Sequence, residues 1–215
     1  MKIVLCRHGR TDWNNQRRYQ GWQGTPLNET GFEHAKLVSE ALKDENFEYT
    51  FCSPLKRCLQ TAKEIMKLQK CKLEIKEGLK EINYGDFAGH TPSNIQKKMP
   101  GMWEKRKSSF QSKYDFKHPN GESFREIDEN RVKPMLEEFK EKYYSRKILL
   151  VTHQGVGRLI LGNLMGFSEA EKMDLSIPND CIYYLNYRPN KTTIRHYFAE
   201  TGKSEDGFLR REDEP

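Results

Sequence analysis

Ile3-Val4-Leu5-Cys6-Arg7-His8-Gly9 and Ile148-Leu149-Leu150-Val151-Thr152-His153-Gln154-Gly155 are the stretches that decide the fold. Each begins as an unbroken apolar run, as expected of a strand buried on both faces of a parallel sheet, and each runs out at a histidine. In an open α/β sheet ligands bind in the crevice beyond the carboxyl ends of the strands. The two histidines therefore point to one place.

Working outward, Thr30-Gly31-Phe32-Glu33 reads as a capping box ahead of Ala35, Val38, Ala41 and Leu42 at helical spacing. Phe51-Cys52 reads as a strand, and Ser53-Pro54 as the N-cap and first residue of a helix carrying Leu55, Cys58, Leu59, Ala62, Ile65 and Met66. Ser123-Phe124-Arg125-Glu126 is a second capping box, opening a helix bent at Pro134. Val156, Leu159, Ile160 and Leu164 predict a further helix ending near Gly166, and Cys181–Leu185 and Thr192–Tyr197 close the chain as strands. This alternation predicts an α/β fold, a three-layer α/β/α sandwich with a largely parallel central sheet. A single domain is expected over residues 1–200. Within it, residues 90–121, Lys-rich and interrupted by Pro92, Pro100 and Pro119, form a lid-like excursion, and residues 201–215 form a charged, frayed tail.

The chain has 215 residues, with 37 Lys and Arg against 31 Asp and Glu, a net charge of +6, and 24 aromatic residues, which exclude intrinsic disorder. The excess charge favours small anions. Nucleic acid as a partner is not expected, because the basic runs Lys97-Lys98 and Lys105-Arg106-Lys107 are short and acidic residues are interspersed elsewhere. Five cysteines without a C-x-x-C pair read as reduced thiols, and no apolar run is long enough for a signal peptide or a membrane span. A cytoplasmic protein with no membrane partner is the expectation.

The chemistry concentrates in a few segments. A neutral histidine attacks phosphorus when one ring nitrogen is free and the other donates to a fixed acceptor, and His8 sits where a strand ends, between the guanidinium of Arg7 and the small Gly9. Ser53-Pro54-Leu55-Lys56-Arg57-Cys58-Leu59-Gln60-Thr61-Ala62 places Arg57 in a first helical turn, where an anion is favoured. His153 follows the second strand, and Glu81 lies in a glycine-punctuated loop. Phosphoryl transfer needs a nucleophile, positive charge on the equatorial oxygens and a proton donor, and these five residues cover those roles without a metal or any other cofactor.

With those segments on view, the chain resembles the histidine phosphatase superfamily, also called the phosphoglycerate mutase-like family, over roughly residues 1–187. The resemblance rests on Arg7-His8-Gly9 with Asn14, on Gly21, on Pro26-Leu27 before Gly31, and on the Ser-x-Leu-x-Arg-x-x-Gln-Thr-Ala segment. Glu81 with its glycines, Gly121-Glu122-Ser123, and His153 complete it. It implies that His8 is phosphorylated during turnover, that Arg7, Arg57 and His153 hold the phosphoryl group with help from Asn14, and that Glu81 is general acid and then base. Gln20, Gly21 and Tyr84 fall where the family contacts substrate, and Gln154 joins them as a phosphate-side residue. The family's relatives are often dimers, so the resemblance allows a homodimer. Arg10 stands where the family commonly has Glu or Gln, and Gly24-Thr25 replaces a frequent Asp.

The reading that follows is a phosphomonoester hydrolase acting on small phosphorylated metabolites, with the Lys-rich mouth of Trp103, Lys105, Arg106, Lys107 and Phe110 suited to polyanions. The alternative within the family is a phosphoglycerate mutase. It is disfavoured because the excursion is short and residues 91–120 hold Arg106 as their one arginine. A non-catalytic phosphate-binding module ranks lower still, since every role is filled. A cysteine phosphatase would need C-x5-R, whereas Cys52 and Arg57 are spaced C-x4-R. A metal held by His8, His153 and Glu81 would be repelled by the two arginines.

Overall fold

The computed structural model describes residues 1–108 and 113–211. The chain runs β1 (Lys2–Arg7), α1 (Asp12–Asn15), α2 (Glu29–Ala41), β2 (Tyr49–Cys52), α3 (Lys56–Ile65) and β3 (Lys72–Ile75). The excursion follows as α4 (Pro92–Lys98) and α5 (Pro100–Ser108). The second half is α6 (Phe124–Ile127), a π-helical segment Asp128–Val132, α7 (Lys133–Lys142), β4 (Lys147–Thr152), α8 (Gln154–Met165), α9 (Glu169–Asp174), β5 (Cys181–Asn186), β6 (Thr193–Phe198) and β7 (Ser204–Asp206).

The strands form one sheet in the order β3-β2-β4-β1-β5-β6-β7. β3, β2, β4 and β1 pair in parallel, and β5, β6 and β7 add to the edge of β1 antiparallel. The three-layer sandwich read from the sequence is the fold, with its parallel half carrying both histidine-tipped strands. Their unbroken apolar runs have a two-sided cause. Ile3, Leu5, Ile148 and Leu150 point into one core with Phe139 of α7 and Leu159 of α8, while Val4, Cys6, Leu149 and Val151 point into the opposite core with Val38 of α2 and Ala62 of α3. Every apolar side chain of the two central strands thus finds apolar cover.

Local signals place several helix ends and tertiary contacts move others. The Ser123 capping box is present, with the Ser123 side chain accepting from Glu126 N and the Glu126 carboxylate from Ser123 N. α8 ends at Gly166, whose φ of 73° only glycine adopts without strain. α2, however, is capped by Asn28 rather than Thr30: Asn28 Oδ1 accepts from Gly31 N at 2.9 Å. Ser53 and Pro54 also stand outside α3, whose N-cap is Leu55 without a side-chain cap. The helix expected to bend at Pro134 runs without a break from Phe124 to Lys142 and carries its irregularity just before the proline, as the π segment Asp128–Val132.

The π segment is pinned from inside. Asp128 is fully buried and accepts from Lys172 Nζ at 2.9 Å, from Tyr114 Oη at 2.6 Å and from Asn163 Nδ2 at 2.5 Å, tying α8 and α9 to the end of the excursion. The frayed tail expected from Thr201 is a correction in the same sense. β7 pairs with β6, Leu209 is buried, and Arg210 bridges to Leu175 and to the Asp174 carboxylate. The remainder of that expectation, residues 212–215, lies outside the described residues, as does Phe110.

Candidate active site

The carboxyl ends of β1, β2 and β4 lie side by side, and the pairing runs one residue past each strand. His8 N donates to Thr152 O and Ser53 N to Val151 O. Residues 8, 53 and 153 therefore leave the sheet together. Asn179 Nδ2 donates to the carbonyl of His8 at 2.7 Å and fixes that loop from the far side.

His8 is 2% exposed, and its Nδ1 lies 2.7 Å from the carbonyl of Gly9. A carbonyl can only accept, so Nδ1 carries the proton and Nε2 keeps its lone pair. Burial, then the charges of Arg57 and Arg7, hold the His8 pKa well below its usual value, so the ring is neutral near pH 7. The His153 ring centroid is 5.2 Å away, with Nε2 2.7 Å from Ser53 Oγ, and burial with the same arginines keeps it neutral too. Cys58 Sγ packs 3.4 Å from His153 Nε2; burial pushes this thiol, and that of Cys52, far above the usual range, which leaves neither as a thiolate.

Helix α3 organises the surrounding loops through three side chains. Arg57, 1% exposed, donates to Gly21 O at 2.8 Å and to Gln23 O at 3.0 Å. Gln60 Oε1 accepts from Leu27 N, and Thr61 Oγ1 accepts from Gly9 N at 3.0 Å while donating to Arg57 O. The Arg-x-x-Gln-Thr spacing thus holds both the Gly21–Leu27 loop and the loop that carries His8 and Gly9. Gly9 and Gly31 cross at contact: a Cβ on Gly9 would run into Gly31 O, and one on Gly31 into Arg10 O. The start of α2 is pressed against the residue following His8.

Glu81 is 6% exposed, its Oε2 accepting from Gly155 N at 3.1 Å and its Oε1 from Ile82 N at 3.0 Å. A Cβ on Gly155 would strike Glu81 Oε1, so the glycine makes the carboxylate's position. Arg7 donates to Gln154 Oε1 at 2.6 Å and to Ile177 O at 3.0 Å. His8, His153, Arg7, Arg57, Glu81 and Gln154 are thereby brought together. Tyr84 packs edge-on to Tyr19 at 4.8 Å and lines a cavity with Gln154 and Gly155; burial, then Glu81, raises its phenol pKa. Two further expected residues have their side-chain oxygens engaged by neighbours, which leaves the amide NH2 group of each outside those contacts. Asn14 Oδ1 accepts from the Thr11 hydroxyl and amide, and Gln20 Oε1 accepts from Thr25 Oγ1, behind Arg57. Gly21 serves through its carbonyl on Arg57.

Sequence reasoning passed over Thr61, Gln60, Asn179 and the serine beside His153 as functional supports. Thr61 and Gln60 were visible as part of the α3 segment, but their partners lie 52 and 33 residues away. Among the described residues no group of three His, Cys, Asp or Glu side chains is arranged to hold a metal ion, and no helix is long and apolar enough to cross a membrane.

This arrangement has close counterparts. The chain is 33% identical over 214 residues to a metal-independent phosphoserine phosphatase of Arabidopsis thaliana, covering 98% of this chain and 86% of the relative. It is 30% identical over 193 residues to a phosphoglycerate mutase of Schizosaccharomyces pombe, covering 86% of this chain and 90% of the other. Its fold superposes on the crystal structure of an alpha-ribazole phosphatase from Shigella flexneri with a TM-score of 0.79 and 25% identity, over 89% of this chain and 93% of that one. Phosphatases and a phosphoglycerate mutase alike are thus similar to it in sequence. The model of the histidine phosphatase superfamily (branch 1) matches residues 3–200, and with two buried histidines, two arginines and a carboxylate gathered at the end of its parallel strands, the chain belongs to that superfamily.

Proposed function

We propose that the protein hydrolyses phosphomonoesters of small metabolites through a phosphohistidine on His8. The observation that carries this reading is the 2.7 Å contact from His8 Nδ1 to Gly9 O, which leaves Nε2 as the nucleophile. Nε2 attacks phosphorus while the bond to the ester oxygen breaks, and Glu81 gives that oxygen its proton. The developing imidazolium keeps its Nδ1 proton on Gly9 O. Arg7, Arg57 and the neutral His153 take the equatorial phosphoryl oxygens. A water then attacks the phosphohistidine, giving its proton to Glu81; the P–N bond breaks, inorganic phosphate leaves, and His8 is neutral again.

The test is acid-quench phosphate release from a panel of phosphomonoesters, with 3-phosphoglycerate isomerisation followed in parallel. Wild type is expected to release phosphate and, when quenched rapidly in alkali instead, to carry a phosphoryl group that acid removes. His8→Ala is expected to lose about 10³-fold or more of kcat. Isomerisation without release would replace this reading with a mutase, and full activity in His8→Ala would overturn the phosphohistidine.

A further inference from the structure

Glu81 is held by more than the two amides that face its carboxylate. The main chain on either side of it is bonded to side chains from remote segments. Arg131, in the π segment, donates through Nη1 to Lys80 O at 2.8 Å and through Nη2 to Glu122 Oε2 at 2.9 Å. The same Glu122 oxygen accepts from Asn83 N at 2.8 Å, and Glu122 N donates to Asn83 O at 2.9 Å. Trp22 Nε1 donates to the carbonyl of Glu81 itself at 2.7 Å, its ring lying 3.8 Å from Lys80 Nζ. Residues 80 and 83 are thus fixed to one ion pair, and Glu81 stands between them.

The loop has little room to slide against this support. A Cβ on Gly85 would run into Pro119 O, and one on Gly121 into Asn83 O, so the two segments cross at contact. The Gly121-Glu122-Ser123 segment thereby gains a role beyond starting a helix: Ser123 caps α6, whereas Glu122, one residue earlier, reaches the loop of Glu81. The Arg131–Glu122 pair is only 18% and 25% exposed at its side chains, and a pair of that kind adds little to stability by itself. Its bonding is what distinguishes it. Both partners direct their other hydrogen bonds to the stretch 80–83, and a guanidinium fork fixes the direction between two acceptors where an ammonium, a point charge, does not. A π turn inside a helix is frequent at functional sites, and this one carries Arg131.

We propose that Arg131 and Glu122 are positioning residues for Glu81, splinting residues 80 and 83 so that the carboxylate between them stays on Gly155 N and within reach of the ester oxygen. The purpose assigned to the splint rests on the reaction proposed above, in which Glu81 protonates that oxygen. Neither residue touches the reacting atoms.

The test compares wild type with Arg131→Met, Glu122→Ala, the conservative Arg131→Lys and Glu122→Gln, and Glu81→Gln. Glu138→Gln is the control, because it neutralises one partner of a pair of similar exposure, Lys76–Glu138 at 22% and 31%. Each protein is assayed for kcat/KM on propyl phosphate and on 4-nitrophenyl phosphate, with its melting temperature and the amide resonance of Gly155, which reports the Glu81 carboxylate. Arg131→Met and Glu122→Ala are expected to lose about tenfold or more on propyl phosphate but less than about threefold on 4-nitrophenyl phosphate, whose oxygen leaves without a proton, and to shift the Gly155 resonance. Glu122→Gln can keep both contacts through its one oxygen and should restore most of the loss, whereas Arg131→Lys, with the charge but no fork, should restore only part. Glu138→Gln should match wild type in both rates and in the resonance. An equal loss on both esters, or no loss, with the Gly155 resonance unmoved in the folded variants, overturns the proposal. A shifted resonance in the Arg131 and Glu122 variants beside a Glu81→Gln that slows both esters alike would leave the splint standing and remove Glu81 from the role of acid.

Discussion

The reaction centre and the mouth beside it both hold cations, yet they are built by opposite means. Arg57 is sunk to 1% exposure and donates to backbone carbonyls of a neighbouring loop, so its position is set by main chain. Arg106 stands half-buried on a short helix and is steadied by the faces of Tyr19 and Trp103. Carbonyl anchors are directional and tolerate little displacement, whereas aromatic faces hold a guanidinium over a range of positions. The centre is thereby committed to one geometry, as bond-making requires, and the mouth is left adaptable to the shape of the alcohol.

Three measurements would break or sharpen this contrast. The largest effect is expected at Glu81. Glu81→Gln keeps the side chain's size and one of its two backbone contacts, since an amide nitrogen cannot accept the second N–H, and carries no transferable proton; kcat should fall about 10²- to 10⁴-fold for substrates with poor leaving groups. The loss should be much smaller for a nitrophenyl ester, whose oxygen leaves unaided. An equal loss for both classes would remove Glu81 from the role of acid.

A matched pair of glycines comes next. Gly155→Ala pushes its new methyl into Glu81 Oε1 and close to Phe124, and a displacement of about 1 Å at such a group costs on the order of 10²-fold in kcat. Gly101→Ala, in α5 with open space around it, should leave turnover intact and stabilise the helix by about 0.4–1 kcal/mol. Comparable activity in the two variants would mean that the centre is as forgiving as the mouth.

The smallest effect concerns stability. His8 and His153 in the centre, and His118 packed among Tyr84, Phe87 and Phe116 below the mouth, all have folded-state pKa values under the unfolded 6.5, His118 at about 4, with burial as the leading cause. The unfolded chain therefore binds the extra protons, and stability is lost as pH drops through 6.5, by up to about 1.4 kcal/mol per pH unit for each histidine. His118→Phe should remove one histidine's share of that slope between pH 6.5 and 4 and leave the centre's share. Urea unfolding across this range measures it, and a flat profile in the wild type would contradict neutral burial of all three.

The same contrast governs what could be read from sequence. β1 and β4 were legible because two-sided burial forces an unbroken apolar run, and a run ending in a histidine marks the ligand side of a parallel sheet. The α3 segment was legible as a motif, since Arg57, Gln60 and Thr61 share one helix, but what they hold was not. Helix starts failed where two local signals competed. Thr30 is as good a cap as Asn28 by residue type, and the close approach of Gly31 to Arg10 settles the choice. The tail was misread because β7, Ser-Glu-Asp, is exposed throughout and offers no apolar pattern; its order comes from backbone pairing and from the anchors Phe208, Leu209 and Arg210 that follow. Arg158 and Arg211 join the mouth through contacts between elements remote in sequence, which no local pattern announces.

The placement of β1 in the middle of the sheet also bears on how the chain comes to fold. Lys2 pairs with Lys147 on one side and with Asn186 on the other, so β1 has no partner until the chain well beyond it has been made. At typical rates of translation that interval is roughly ten seconds or more, during which the apolar strand stays unpaired. Loop closure over such separations makes assembly slow relative to local helix formation, and His8 is assembled into its pocket among the last events. A circular permutant that joins the ends and opens the chain before β4 shortens the separation between β4 and β1 and should fold faster with the same final sheet.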